Sequence, residues 1–123
     1  MDGQTILDAL EFGVSKYPSS SSGFLQVSGI SFDIDSSFNS TVLSDETGVF
    51  INITGKRRIS NVKINRVDLI LTKKYKTSLL EFMLIGGDGY SMLSNSKVTQ
   101  EALLTDTDAL FLYIKNNLNG EIP

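Results

Sequence analysis

Apolar residues near the start of the chain recur every three or four positions, which is the spacing of one helix face. The residues on this face are Ile6, Leu7, Leu10, Val14 and Tyr17. Asp2 precedes the face and can cap a helix with its carboxylate, although Thr5 with Asp8 also has the spacing of a helix start. The pattern predicts a helix from Asp2 to Tyr17 that is stopped by Pro18 and the serines after it.

Residues 24–34 alternate between apolar and polar as a β-strand does, but the frame shifts by one residue in the middle. The apolar positions are Leu25 and Val27 before the shift and Ile30, Phe32 and Ile34 after it. A β-bulge at Ser28 and Gly29 would return both sets to one face of the sheet, because a bulge adds one residue to the strand. On this interpretation, Phe24 points away from the core face.

Three more segments have the pattern of strands, at 49–53, 58–64 and 74–82. Residues 36–48 are polar without a period, so we interpret them as a loop. Residues 65–73 then form the connection between the last two strands.

The glycine-rich run at 86–89 predicts a turn, because three glycines in four positions disfavour both helix and strand. A short helix is predicted at 99–104, and a clearer one at 105–118, opened by Thr105 and released by Gly120. This order of elements predicts an α+β fold, a mostly antiparallel sheet of about four strands covered by N-terminal and C-terminal helices.

The amino-acid composition excludes several classes of function, although it says little about the fold. The 14 acidic and 11 basic residues give a net charge of -3, which argues against nucleic-acid binding. The chain has no Cys and no His, which excludes thiolate sites and removes the commonest general base and metal ligand. No carboxylate spacing indicates a metal site, and no apolar run is long enough to span a membrane. Carboxylate-only hydrolysis or a Mg²⁺ site would need Asp and Glu residues to converge from distant parts of the chain, so we expect no catalytic residue, metal site or cofactor in this chain.

The length of 123 residues fits a single domain, 1–123, with its own core. The first predicted helix starts within a few residues of Met1, without a leader or arm. Because natural N-termini tend to fray, this start favours a fragment of a longer protein to which Met1 was added.

Three segments of the chain stand out. They are GQTILDALE at 3–11, FLQVSG at 24–29 and GGDGY at 86–90. With 58–64 and Tyr75 as scaffold, these segments resemble, in this order and at these separations, the C-terminal domain of the 5'-nucleotidase family. That family includes ecto-5'-nucleotidases and periplasmic UDP-sugar hydrolases, and the resemblance runs from about Gly3 to Ile114.

The resemblance implies that Phe24 and Phe82 clamp a nucleotide base between their rings, and that Asp88 accepts hydrogen bonds from the ribose hydroxyls. The chemistry is coherent, because aromatic faces stack on any planar base and an ionised carboxylate can accept from two adjacent hydroxyls. Taken alone, both phenylalanines would be interpreted as core residues and Asp88 as a turn residue.

The same resemblance implies what the chain lacks. We expect this chain to be a fragment without the first sheet strand and the catalytic metallophosphoesterase domain of the family, and to be inactive alone. Two divalent metal ions belong to that missing domain. The implied partners are a nucleotide or nucleoside and the catalytic domain of the same parent chain, and the implied location is extracytoplasmic, in the periplasm, secreted or at the cell surface.

The sequence departs from the family pattern beside the predicted pocket. Leu80 and Glu81 stand where family members carry polar residues, often Asn, and Ile85 is bulkier than the small residue usual before the paired glycines. These departures favour an alternative, a non-catalytic binding or structural module that kept the fold but lost nucleotide binding. A third alternative is a self-contained enzyme, which would have to work without histidine.

Other conspicuous residues have simpler interpretations. Lys56, Arg57 and Arg58 are predicted to be solvated loop charges. Tyr90 and Tyr113 are predicted to be core residues.

Overall fold

The computed structural model describes residues 1–100 and 104–122. Its helices in chain order are α1 (Gly3–Gly13), α2 (Glu81–Leu84) and α3 (Asp106–Asn117). Its strands are β1 (Ile30–Ile34), β2 (Val42–Ser44), β3 (Phe50–Ile53), β4 (Ile59–Ile64) and β5 (Val67–Asp68). Helices together with antiparallel strands confirm the predicted α+β class.

Helix α1 starts where the sequence pattern places it. The carboxylate of Asp2 accepts a hydrogen bond from the backbone N–H of Thr5 at 2.9 Å, which satisfies one of the free donors of the first turn. The helix ends at Gly13, before the predicted end at Tyr17. Its apolar face forms the main core with β4, and the buried residues there are Ile6, Leu10, Val14, Ile59 and Val62.

The strands form two antiparallel sheets instead of one. The larger sheet has the order β1-β4-β5, and the smaller one is the hairpin of β2 and β3. Two strands lie in segments for which the sequence predicted no strand, β2 within 36–48 and β5 within 65–73. Strands of three and two residues are too short to show a period, and this is why the pattern missed them.

The predicted bulge at Ser28 and Gly29 is wrong, because residues 24–27 form no strand. Gly29 has a φ of 75°, a left-handed conformation that ends the irregular segment before β1. The bulge of this sheet lies in β4 instead. Ser31 pairs with Lys63 but Asp33 with Ser60, so β4 carries the extra residue.

The strand predicted at 74–82 is also wrong. Lys74 makes only an isolated bridge to Asp2, and the backbone N–H of Tyr75 donates to the carbonyl of Met1 at 2.8 Å. The segment therefore runs past the start of α1, and its end becomes the single-turn helix α2.

Helix α3 has the predicted start, since the Thr105 hydroxyl accepts from the backbone N–H of Asp108 at 3.1 Å. None of its residues is buried, however, and Tyr113, a predicted core residue, is 55% exposed. The short helix predicted at 99–104 lies partly outside the described residues. No helix in the described part of the chain is long and apolar enough to cross a membrane.

A buried carboxylate joins α1 to β4. Glu11 is 0% exposed, and its two oxygens accept hydrogen bonds from the backbone N–H groups of Arg58 and Ile59, each at 2.9 Å. The Arg58 guanidinium turns back and donates to the carbonyls of Val14 at 3.2 Å and Tyr17 at 2.8 Å. The prediction of a solvated Arg58 is therefore wrong, because this side chain closes the end of α1.

We predict that Glu11→Gln destabilises the fold by about 2 kcal/mol. The substitution replaces a charged acceptor with an amide whose NH₂ would face a backbone donor. Urea unfolding measures the change. The matched control is Glu46→Gln at an exposed position, expected to change stability by less than about 0.5 kcal/mol. Equal effects of the two substitutions would contradict the role given to Glu11.

A second prediction concerns acid stability. The hydrogen bonds from Thr5 lower the pKa of Asp2 from 3.8 to about 2, with a smaller contribution from Lys74. Because the folded-state pKa is depressed, this contribution is complete above pH 3.8 and is lost as the pH falls towards 2. Thermal unfolding of Asp2→Ala should therefore show a weaker loss of stability across this range than the wild type. Glu121→Ala is the control, and a wild-type pH dependence in Asp2→Ala would refute the assignment.

Candidate functional site

The glycine-rich segment after α2 forms a tight turn, as predicted. It is a 3-10 turn at Gly87–Gly89, entered through Gly86 at a φ of 86°. Asp88 itself adopts a left-handed conformation, with a φ of 53° and a ψ of 23°. Asp and Asn are among the few side chains that tolerate this region, and the turn leaves the Asp88 carboxylate exposed.

Phe82 lies on α2 and packs against this turn. A Cβ at Gly87 would stand 2.5 Å from Cε1 and Cζ of the Phe82 ring, so only glycine leaves room for the ring there. The ring remains 52% exposed. The structure thus brings two of the three predicted site residues, Phe82 and Asp88, onto one short unit.

Phe24 occupies a different environment from the predicted one. It lies in the irregular segment 24–27, is partly buried and packs against the main core between α1 and β4. The prediction that it points off the core face is wrong, because that prediction assumed a strand at 24–27. The partial exposure still leaves part of the side chain at the surface.

Tyr90 connects the two parts of the site. It is 1% exposed, and its hydroxyl donates a hydrogen bond to the carbonyl of Gly23, the residue before Phe24. Burial, together with the negative charge of Asp88, raises the pKa of Tyr90 well above its usual value. The hydroxyl therefore stays protonated and remains a donor. The predicted core position of Tyr90 is confirmed.

Two further aromatic rings pack next to Tyr90. The Phe12 ring meets Tyr90 edge to face at 4.8 Å between centroids, and meets Phe50 of β3 at 5.7 Å. Beside it, the Ser91 hydroxyl donates to the carbonyl of Phe50 at 2.7 Å. The hairpin of β2 and β3 and helix α1 thus hold the glycine-rich turn from two sides.

The three predicted residues lie on two segments, 24–27 and 81–89, which Tyr90 connects. Among residues 1–100 and 104–122, the rings of Phe24 and Phe82 do not contact each other, whereas Phe12 contacts two rings. Two surface cavities, both lined by Asn65, contain none of the three residues. The arrangement presents an exposed aromatic ring and an exposed carboxylate, both suited to a planar, hydroxyl-bearing ligand.

Charges in these segments are all acidic. Residues 80–90 contain Glu81 and Asp88 but no Lys or Arg, and residues 23–29 contain no charged side chain. Among residues 1–100 and 104–122, no group of three or more metal-ligating side chains converges. These two segments therefore contain hydrogen-bond acceptors and an exposed aromatic ring, but no cation for a phosphate.

The family model of the 5'-nucleotidase C-terminal domain matches residues 1–95, from the start of α1 through the glycine-rich turn. This chain belongs to the 5'-nucleotidase C-terminal domain family. A 5'-nucleotidase of Bos taurus is 29% identical over 114 residues, which is 93% of this chain but 19% of the bovine protein. The chain thus spans about a fifth of that relative, and α3 lies beyond the segment that the family model matches.

Within this 5'-nucleotidase C-terminal domain, sequence reasoning missed the residues that join the site. The hydrogen bond from Tyr90 to Gly23 links positions that are 67 residues apart. Gly13 was also missed, although a Cβ there would lie 2.8 Å from the Tyr90 hydroxyl. A glycine near the end of an otherwise apolar helix face was the one available signal, since it marks a close approach.

We predict that Gly87→Ala destabilises the domain by about 1 to 3 kcal/mol, because the new methyl group would stand 2.5 Å from both the ring and the backbone carbonyl oxygen of Phe82. The control is Gly23→Ala, whose methyl group would make ordinary contacts at 3.7 and 3.8 Å. Denaturant unfolding gives both values, and NMR shifts of the Phe82 ring report its displacement. If the ring does not move in Gly87→Ala, the close contact between Gly87 and the Phe82 ring is contradicted.

Proposed function

We propose that this chain is the nucleotide-recognition domain of a 5'-nucleotidase-like phosphoesterase, and that it binds the nucleoside part of the substrate. In this proposal, the Phe24 and Phe82 rings stack on the base and Asp88 accepts hydrogen bonds from the ribose hydroxyls. The observation that carries it is the joint placement of an exposed Phe82 ring and an exposed Asp88 carboxylate on one glycine-rich unit, within a domain of this family.

Physical chemistry supports the role of Phe82. The Phe82 side chain is half exposed, and its ring packs against Gly87. A planar base can therefore stack on the exposed part of the ring. Such stacking is worth about 1 to 3 kcal/mol per base. Two stacks and one carboxylate, after the cost of ordering the ligand, correspond to roughly millimolar binding by this chain alone.

The acidic charges of these segments support a proposal in which this domain binds the nucleoside and another domain of the parent protein binds the phosphate. Glu81 and Asp88 would repel a phosphate near the site, whereas the ribose hydroxyls can donate to Asp88. We therefore assign the phosphate to the catalytic domain of the parent chain, where two divalent metal ions would activate water. The parent is then a hydrolase, and we place it outside the cytoplasm, as the resemblance implies.

Titration with nucleosides tests this proposal. Adenosine and uridine at up to tens of millimolar should shift the NMR signals of Phe24, Phe82 and Asp88. AMP should bind no more tightly than adenosine, because the segments that carry these residues lack a cation. Absence of shifts at all three positions would reject nucleoside binding, and a much tighter AMP complex would reject the assignment of the phosphate to another domain.

Substitutions at the rings give a second test. Phe82→Ala should weaken adenosine binding by about five- to 150-fold, the equivalent of about 1 to 3 kcal/mol. Phe24→Leu removes the aromatic face but keeps apolar bulk against the core, so it should weaken binding without unfolding the domain. Phe38→Ala is the control, because that ring contacts Lys56 instead of the site. Similar affinities in all three variants would count against stacking.

One observation favours the alternative of a module that binds a macromolecular partner instead of a nucleotide. Leu80, Phe82 and Ile85 are all exposed around α2, with Ile85 at 73%, and Phe24 packs against the core. Exposed apolar side chains in one short segment are typical of an interaction surface. The nucleoside titration separates the two functions, because a module of this kind gives no shifts with nucleosides.

A further inference from the structure

The segment that carries Phe24 has little structure of its own. Residues 24–27 belong to no helix or strand, and the backbone N–H of Phe24 donates locally, to the carbonyl of Ser21 at 3.2 Å. Gly23 precedes this segment, and its carbonyl accepts the hydrogen bond from the Tyr90 hydroxyl. The start of the segment is therefore anchored at Tyr90.

Tyr90 is in turn fixed to the turn that carries Asp88. Its backbone N–H donates to the carbonyl of Gly87 at 3.2 Å, and it follows Asp88 by two residues. Its side chain is buried and held edge to face by Phe12. One residue thus contacts both halves of the candidate site, through its backbone on one side and its hydroxyl on the other.

The space for this hydroxyl depends on Gly13. A methyl group at position 13 would stand 2.8 Å from the Tyr90 oxygen and 3.4 Å from Cγ of Leu25. Gly13 is at the end of α1, where alanine would otherwise favour the helix. The missing side chain therefore leaves room for the contact between Tyr90 and the segment of Phe24.

We infer that Tyr90 is a positioning residue for nucleoside binding, whose hydroxyl sets the segment carrying Phe24 against the turn carrying Phe82 and Asp88. This inference rests on the proposed function and adds to it a residue that need not touch the ligand. A nucleoside held on two sides pays a smaller ordering cost when both sides are already fixed relative to each other.

Tyr90→Phe tests the inference, because it removes the hydroxyl and keeps the buried ring. We expect adenosine binding to weaken about five- to tenfold, the value of one hydrogen bond. The matched control is Tyr75→Phe, which removes another tyrosine hydroxyl that bonds to the backbone, here accepting from the N–H of Ile70 at 3.0 Å. Tyr75→Phe should leave adenosine affinity unchanged. Equal affinities of Tyr90→Phe and the wild type would overturn the inference.

A double-mutant cycle separates positioning from general destabilisation. Gly13→Ala should weaken adenosine binding about as much as Tyr90→Phe, because its methyl group displaces the hydroxyl. In Gly13→Ala with Tyr90→Phe, the hydroxyl that would clash is absent, so the double variant should bind adenosine no more weakly than Tyr90→Phe alone. Additive losses would overturn the inference, since they indicate two independent effects.

A measurement without ligand distinguishes this inference from the proposed function. Heteronuclear ¹⁵N NOE values of Gly23, Phe24 and Leu25 should fall in Tyr90→Phe and stay unchanged in Tyr75→Phe. If the wild type binds no nucleoside, the proposed function fails and the role in binding fails with it, while these values still decide whether Tyr90 fixes the segment. Unchanged values in Tyr90→Phe would show that it does not.

Discussion

The architecture depends on one buried carboxylate between α1 and β4. Glu11 has no exposed surface, and it accepts hydrogen bonds from the backbone N–H groups of Arg58, which precedes β4, and of Ile59, the first residue of β4. Burying a charge is costly unless it is hydrogen-bonded, so these two bonds and the apolar core together restrict the placement of α1 on the sheet. Phe12 and Gly13, which pack against Tyr90 of the candidate site, follow directly after this contact on α1.

The sequence predicted the elements that leave a clear local signal, such as a repeated apolar spacing, a helix cap or a run of glycines. Helix α1 with its Asp2 cap, the strands β3 and β4, the glycine-rich turn and helix α3 all follow from period, caps and glycines. The sequence-based prediction failed where the structure depends on backbone pairing between distant residues, because the local pattern does not encode that pairing. The residues around Tyr75 alternate as a strand does, yet they pair with the start of α1 instead of a sheet, and the short strands β2 and β5 leave no period to detect.

In the candidate site, too, the features set by local sequence could be predicted and those set by distant contacts could not. Phe82 and Asp88 are six positions apart and a predicted glycine turn follows Phe82, so the sequence indicated that they lie close together, although it placed Phe82 on a strand instead of a helix. The position of Phe24 depends on a hydrogen bond that spans 67 residues, and no local pattern encodes it. Strand parity failed there because it presupposed a ladder partner that residues 24–27 do not have in the described part of the chain.

The left-handed backbone at position 88 has an evolutionary consequence. With a φ of 53°, Asp88 occupies a region in which glycine is the most relaxed residue, and aspartate is tolerated at some conformational cost. The backbone at this point does not require an acid, and a mutation to glycine would delete the carboxylate while placing a residue suited to this conformation in the turn. The acid at this position can thus be gained or lost through a single codon change, while the left-handed backbone of the turn is retained.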